Sequence, residues 1–246
     1  MTYLRVFFLC IGLLAPFSLS AQSKPLITVG YYDFPPVSYT NSEGSPAGST
    51  LKLCELLLKQ QGYAVAFKAL PSARLYAQLI SGEVDLWLGS AGKPELSGHV
   101  LEGSQQLNTA TLALFYHPSA PPPQLPDDLH NKKIILINGY SYWSPAAEWL
   151  TDPSLNLNIT RTSKHTSAIA MLMRKRGDYL LNYVTPIQHT MRQLGIAELQ
   201  MPYVSIHSVP ITFIISKNSA YAEQLLKDLE TAYKDHNPSR LYQHNR

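Results

Sequence analysis

Cysteine is nearly missing from this 246-residue chain, which has only Cys10 and Cys54. Cys10 falls inside an N-terminal apolar run and leaves with it if that run is removed. Cys54 is then the sole thiol, so no intramolecular disulfide can form. Charge is also scarce, at 15% of residues against 45% hydrophobic. With Arg5 set aside, 19 basic residues face 17 acidic ones, a scattered net +2 that gives no footprint for nucleic acid. The histidines show no metal-type spacing with cysteine or acid. Past residue 21 there is no apolar run long enough to span a bilayer, and there is no heptad pattern or fixed-period repeat. Such a chain must be held together by its own core, and it is long enough to build one, or two smaller ones.

Residues 1–21 carry one charge, Arg5, followed by an apolar run from Val6 to Leu19 and the small residues Ser18, Ser20 and Ala21. The pattern predicts an export signal cleaved after Ser20 or Ala21, and hence a periplasmic protein. The run is shorter than a spanning helix needs, so no membrane anchor is expected.

The stretch LPSARLYAQLISGEVDLWLGS, Leu70 to Ser90, is the unit around which the rest of the chain is organised. Ser72 is placed to cap a helix in which Leu75 and Leu79, and Tyr76 and Ile80, recur four apart before Gly82 ends it. Val84, Leu86 and Leu88 then read as a buried strand. Helix into strand is half of a parallel βαβ unit, and ligands collect beyond the carboxyl ends of such strands, so Gly89 and Ser90 are candidate site residues. Arg74 lies in the helix's first turn, where the macrodipole disfavours a cation. Either it serves an anionic ligand, or it is a surface arginine pairing with Glu83 or Asp85.

Ahead of this unit, Leu26–Tyr31 reads as a strand and Phe34-Pro35-Pro36 as an extended turn crowded by tyrosines. Asn41 to Gly48 reads as a loop, Ser49 onward as a helix closed by Gly62, and Tyr63–Ala69 as a strand. Residues 91–107 carry little periodic signal, and Thr109–Tyr116 returns as a strand. Five prolines between Pro118 and Pro126 predict an extended, exposed segment. A second α/β series comes next, with strands over 133–137, 155–160, 178–182 and 211–216. Its helices are expected over 144–150, 163–176, 185–194 and about 218–235.

Five stretches in order, ITVGYYDFPPVSY with Gly44 and Gly48 behind it, ISGEVDLWLGS, DLHNKKIILINGYSYW, RKRGDYLLNY and PITFIISKNSAYAEQLLKDLETAY, resemble the bacterial extracellular solute-binding proteins of family 3. The resemblance covers essentially all of residues 26–243. It implies the α/β, two-lobed periplasmic-binding-protein-like fold of type II, each lobe a mixed sheet flanked by helices. Lobe one would span 22–107 and 210–246 and lobe two 108–209, with hinge strands near 107–112 and 209–212. It also implies a protein without cofactor or catalysis that closes on a small-molecule solute and serves an ABC permease or a sensor in the inner membrane. The hinge strands, the lack of a heptad or long apolar edge and the single mature thiol predict a monomer that is open without solute. Two other readings stay open. One is a dehydratase-like cleft enzyme using Asp33, Glu43 or His165; the other is a sensor module without ligand.

The departures from the family concern the amino-acid clamp. Leu96 stands at the position of the arginine for the ligand carboxylate, with Lys93 as the nearby cation. Asn182 and Tyr183 stand where the aspartate for the ammonium is expected, and Gly48-Ser49-Thr50-Leu51-Lys52 lacks the usual acid. Asp33 and Arg74 are the residues that could replace the clamp. The rest of the expected site is aromatic: Tyr32, Phe34 and Tyr39 from lobe one, and Tyr140, Tyr142, Trp143 and Tyr183 from lobe two, suited to a planar or polar solute. Ser141 and Ser163 precede helix starts and either hold an anionic group or act as ordinary caps. His165, beside Lys164, reads as a surface histidine. The expected solute is small, and anionic or aromatic and polar.

With Leu96 and Asn182 in place of the clamp, none of the twenty free amino acids should shift the melting temperature at low micromolar concentration. A ligand at a hundred times its dissociation constant adds about 2.7 kcal/mol, which a thermal-shift assay reads directly. A clear shift with any of the twenty would contradict the reading.

Overall fold

The computed structural model describes residues 25–197 and 201–236; the expected export signal and residues 237–246 lie outside them. The chain begins with β1 (Leu26–Tyr31), a small hairpin of β2 (Tyr39–Thr40) and β3 (Pro46–Ala47), α1 (Ser49–Gln60), β4 (Ala64–Ala69), α2 (Ser72–Ser81) and β5 (Leu86–Ser90). It continues through β6 (Val100–Glu102), β7 (Asn108–Tyr116), β8 (Lys133–Ile137), α3 (Ala146–Trp149), β9 (Asn158–Thr162) and α4 (His165–Met173). It ends with β10 (Tyr179–Tyr183), α5 (Val184–Gln193), β11 (Tyr203–Ser216) and α6 (Ala222–His236).

Several boundaries differ from expectation, each for a local reason. The predicted loop after Thr40 is a hairpin, because Asn41 Oδ1 accepts the N–H groups of Glu43 and Ser45 and closes the turn. Ser72 is the first helical residue rather than the cap, since Pro71 is the extended residue before it. The second strand of the second series begins at Asn158, because Asp152 accepts the Ser154 N–H and winds 153–155 into a 310 turn. The last helix starts at Ala222, not near 218, because Asn218 and Ser219 are used elsewhere. Asn218 Nδ2 donates to the Ile80 carbonyl, and the Ser219 hydroxyl donates to Asp85 Oδ1 at 2.7 Å. The quiet stretch 91–107 holds a 310 turn, Pro94–Leu96, and β6.

One curled mixed sheet runs through the molecule in the order β4-β1-β5-β11-β7-β10-β8-β9, with β6 also on β11. β1 pairs in parallel with β4 and β5, as the βαβαβ reading requires. The two lobes share this sheet through a pair of long strands. β11 pairs with β5 and β6 along its second half and with β7 along its first, and Ile211 faces both Ser90 and Asn108.

The cores are separate. One lobe packs α1 and α6 on one sheet face, around Ile27, Leu57, Phe213 and Leu229, and α2 on the other, around Leu75, Leu79, Val84 and Ile214. The other packs Ile134, Leu136, Leu155 and Leu181 on one face, and α4 and α5 on the other through Ile135, Ile169, Leu172 and Ile187. β11 passes from one set of cores to the other between Ile211 and Phe213.

Gly30 lets α2 and the turn after it lie close on the sheet: a Cβ there would collide with Leu75 Cδ1 and Val84 Cγ1, both fully buried. Gly30→Ala should therefore destabilise the fold by about 1–3 kcal/mol through overpacking, read as a lower urea midpoint at unchanged slope. An unchanged midpoint would show that the helix can move away.

Candidate functional site

The inner part of the cleft lies at the carboxyl end of β5 and the crossing of β7 and β11. Tyr32, Phe34, Trp87, Gly89, Ser90 and Tyr183 enclose it, and they leave only about 30 Å3. That is room for a water molecule and not for a solute. Aromatic rings fill the rest. Phe34, carried on the first lobe, packs against the core of the second, with ring centroids 5.2 Å from Tyr183, 5.8 Å from Tyr140 and 6.3 Å from Tyr32. The Trp87 indole lies along its own strand over Gly89, where any Cβ would strike it. Burial raises the hydroxyl pKa of Tyr32, Tyr140 and Tyr183 well above the ordinary 10.0, so these phenols stay neutral.

Direct contacts extend this join between the lobes. The Ser72 N–H donates to the Gly139 carbonyl at 3.3 Å. The Tyr76 hydroxyl shares a hydrogen bond with Ser141 Oγ at 3.0 Å, and Ser141 is held in place from its own lobe by the Tyr183 hydroxyl, which donates to the Ser141 carbonyl at 3.0 Å. Lys93 Nζ lies 4.6 Å from the Trp143 ring centroid and 5.7 Å from that of Tyr76, and it pairs with Glu95 at 3.6 Å. Only 3% of Lys93 is exposed, and its burial lowers its pKa below the ordinary 10.5. The expected open arrangement is not the one seen.

The outer part of the cleft is a different space. It is a chamber of about 590 Å3 lined from the first lobe by Tyr32, Asp33, Tyr39, Thr40 and Leu70, and from the second by Asn138, Gly139, Tyr140, Ser163, Lys164, His165, Thr166 and Gln193. Apart from Tyr39 and Thr40, which form β2, these residues follow the carboxyl ends of β1, β4, β8 and β9 or begin α4, and Gln193 closes α5. Asp33 Oδ1 accepts the Thr40 N–H at 2.8 Å. His165 Nε2 is hydrogen-bonded to the Tyr140 hydroxyl at 3.0 Å, with the rings 5.6 Å apart. Burial lowers the His165 pKa to about 4, against an opposing pull from Asp33, so the ring is neutral at pH 7.

The predicted site residues therefore divide. Tyr32, Asp33, Tyr39 and Ser163 border the outer chamber; Phe34, Gly89, Ser90 and Tyr183 border the filled inner space, with Tyr32 between the two. Lys93 and Ser141 bind the lobes to each other. Five placements correct the expectation. Arg74 is exposed and borders neither space, because it lies on the side of α2 opposite the buried Ser72, Leu75 and Leu79. Its expected partners are engaged elsewhere, Glu83 with Lys68 at 3.7 Å and Asp85 with the Thr28 N–H at 2.8 Å. Tyr142 is in the second lobe's core, its hydroxyl accepting the Ile137 N–H at 3.0 Å. Asn182 is fully buried, its Oδ1 taking the Tyr183 N–H at 2.7 Å, and among the described residues its Nδ2 has no partner. Ser163 does not cap α4 either: Lys164 holds the cap position, without a side-chain cap bond. His165 is no surface residue; it and Lys164, from the helix start that could hold an anionic group, line the chamber, and Asn138, Thr166 and Gln193 join it without having been expected there. All but Gln193 follow lobe-two strand ends, the same rule that picks out Gly89 and Ser90.

The sequence matches the profile of the bacterial extracellular solute-binding proteins, family 3, over residues 27–244. The chain belongs to that family. Its fold recurs in a histidine kinase sensor domain with similarity to periplasmic binding proteins, at 20% identity over 90% of this chain and 94% of that one, TM-score 0.69. It recurs in an ancestral arginine-binding protein bound to arginine, at 19% identity over 90% and 98%, TM-score 0.69. Holo ArgBP from T. maritima matches at 16% identity over 88% and 93%, TM-score 0.66. No significant relative is found among curated proteins. Among the described residues, no helix of this family member is long and apolar enough to cross a membrane.

The neutral His165 gives a pH test. Its folded-state pKa lies below the ordinary 6.5, so the unfolded chain takes up the proton first. The ring's contribution to stability is present above about pH 6.5 and is lost as pH falls toward 4. An NMR titration should place its midpoint near 4, and a midpoint between 6 and 7 would show that the ring is solvated.

Proposed function

We propose that this family 3 protein captures a small polar organic solute in the outer chamber, without transforming it, and presents the loaded form to a partner in the inner membrane. The carrying observation is the chamber itself, about 590 Å3 between two lobes at the carboxyl ends of four strands. Binding sites of open α/β folds gather at such ends, and the volume suits a small molecule. Lobe one runs over 22–107 and 210–246 and lobe two over 108–209, with β7 and β11 as the hinge. The mature protein is a periplasmic monomer, cut free of residues 1–21, and its partner is an ABC permease or a sensor. The likeness to a histidine kinase sensor domain supports keeping the sensor beside the permease.

A noncatalytic role fits the chamber's titratable pair, since Asp33 and His165 are each committed to a structural hydrogen bond, with Thr40 and Tyr140. The filled inner cleft favours one second reading, a module that signals without solute.

One variant separates the two. Thr166 is exposed on the first turn of α4 and faces the chamber, so Thr166→Trp should fill it without touching either core. Native mass spectrometry of the protein purified without denaturation should show a bound small molecule that Thr166→Trp lacks, at equal thermal stability. Identical spectra for both proteins would contradict solute capture and leave the ligand-free module.

A further inference from the structure

The chemistry of the outer chamber narrows the solute class, an inference that rests on the binding reading above. Its two ionic side chains, Asp33 and Lys164, are opposite in sign and both exposed, so the chamber presents no net charge and no buried ion. Lys93, the buried ammonium of the cleft, is already enclosed by Trp143, Tyr76 and Glu95 and does not border the chamber. His165 is uncharged at neutral pH and tied to Tyr140. A carboxylate or ammonium here would give up part of its hydration and meet only the exposed, solvent-screened charges of Lys164 and Asp33, with no buried counter-charge to hold it.

A hydroxyl needs no counter-charge, because the phenols, side-chain amides and threonine hydroxyls of the lining are of the kind that exchange hydrogen bonds with it in place of water. Tyr32, Tyr39 and Tyr140 also give ring surface against which the C–H faces of a saturated ring can pack, and Asn138 and Gln193 bring amides from the ends of β8 and α5. We propose that the outer chamber takes a neutral polyhydroxylated ring, a monosaccharide or a cyclitol, rather than a charged amino acid.

The experiment uses the mature protein refolded from denaturant to strip any bound molecule. Titration calorimetry is run with D-glucose, D-galactose, D-ribose and myo-inositol, and in parallel with L-arginine, L-glutamate and succinate. The expected result is binding of at least one neutral ring and of no charged probe. Affinity should be unchanged in 0.5 M NaCl, since no ion pair is involved, and at least tenfold weaker in Asn138→Ala and Gln193→Ala, both at exposed positions where the fold does not depend on the side chain. Binding of a charged probe alone, abolished by Thr166→Trp, would overturn the proposed class and keep the chamber as the site. A flat response to every probe also overturns it. In that case a molecule retained by the untreated protein and absent from Thr166→Trp would preserve solute capture, and identical spectra would remove both readings.

Discussion

A single ring, Phe34, crosses from one lobe into the core of the other, and the shape of the cleft follows from it. Fully burying a phenylalanine side chain is worth about 1.5–3 kcal/mol, of which the partly buried Phe34 gains a share, and each well-placed aromatic neighbour adds about 0.5–1.5. Phe34 has three such neighbours, two of them, Tyr140 and Tyr183, on the far lobe. Any hinge motion about β7 and β11 must first withdraw that ring and expose the faces it covers. Against a total stability of about 5–15 kcal/mol for an ordinary domain, this is a substantial bias toward the joined state. The Tyr76–Ser141 hydrogen bond and the Lys93 ammonium over Trp143 add to it, and because they are sheltered they are less screened than surface contacts.

The same ring divides the cleft. Phe34, with Trp87 lying over Gly89, takes the inner space at the end of β5, which leaves the space beyond β1, β4, β8 and β9 for a solute. That outer space keeps the general position of binding sites in open α/β folds while changing which strands supply the contacts. It also explains why the missing clamp residues leave no unanswered charge. Leu96 and Asn182 are both fully buried, packed into their own lobes and not facing the chamber.

The sequence made the architecture legible because the apolar periods are strong. The Leu75–Leu79 stripe, the Gly82 stop and the Leu86–Leu88 strand all appear where their spacing places them, and the family stretches occur in the right order. Boundaries were less legible wherever a side chain from a distant element intervenes, as Asp85 does at Ser219 across 134 residues. The site was legible only in part. Aromatic side chains near strand ends are visible in a sequence, but their choice between filling a cleft and lining it depends on how the lobes dock, which no local pattern encodes. Arg74 misleads because its place in the first turn stands out while its side of the helix decides its role. A count from Leu75 and Leu79 puts it on the outer face.

The most direct test of the account is small-angle scattering of the protein refolded without solute, compared with Phe34→Ala. Solute-free protein held together by its own aromatic bridge should give a compact profile, near the roughly 17 Å radius of gyration expected of a folded chain of this length, while Phe34→Ala should be measurably larger. A solute-free protein as extended as Phe34→Ala, contracting only when solute is added, would contradict it.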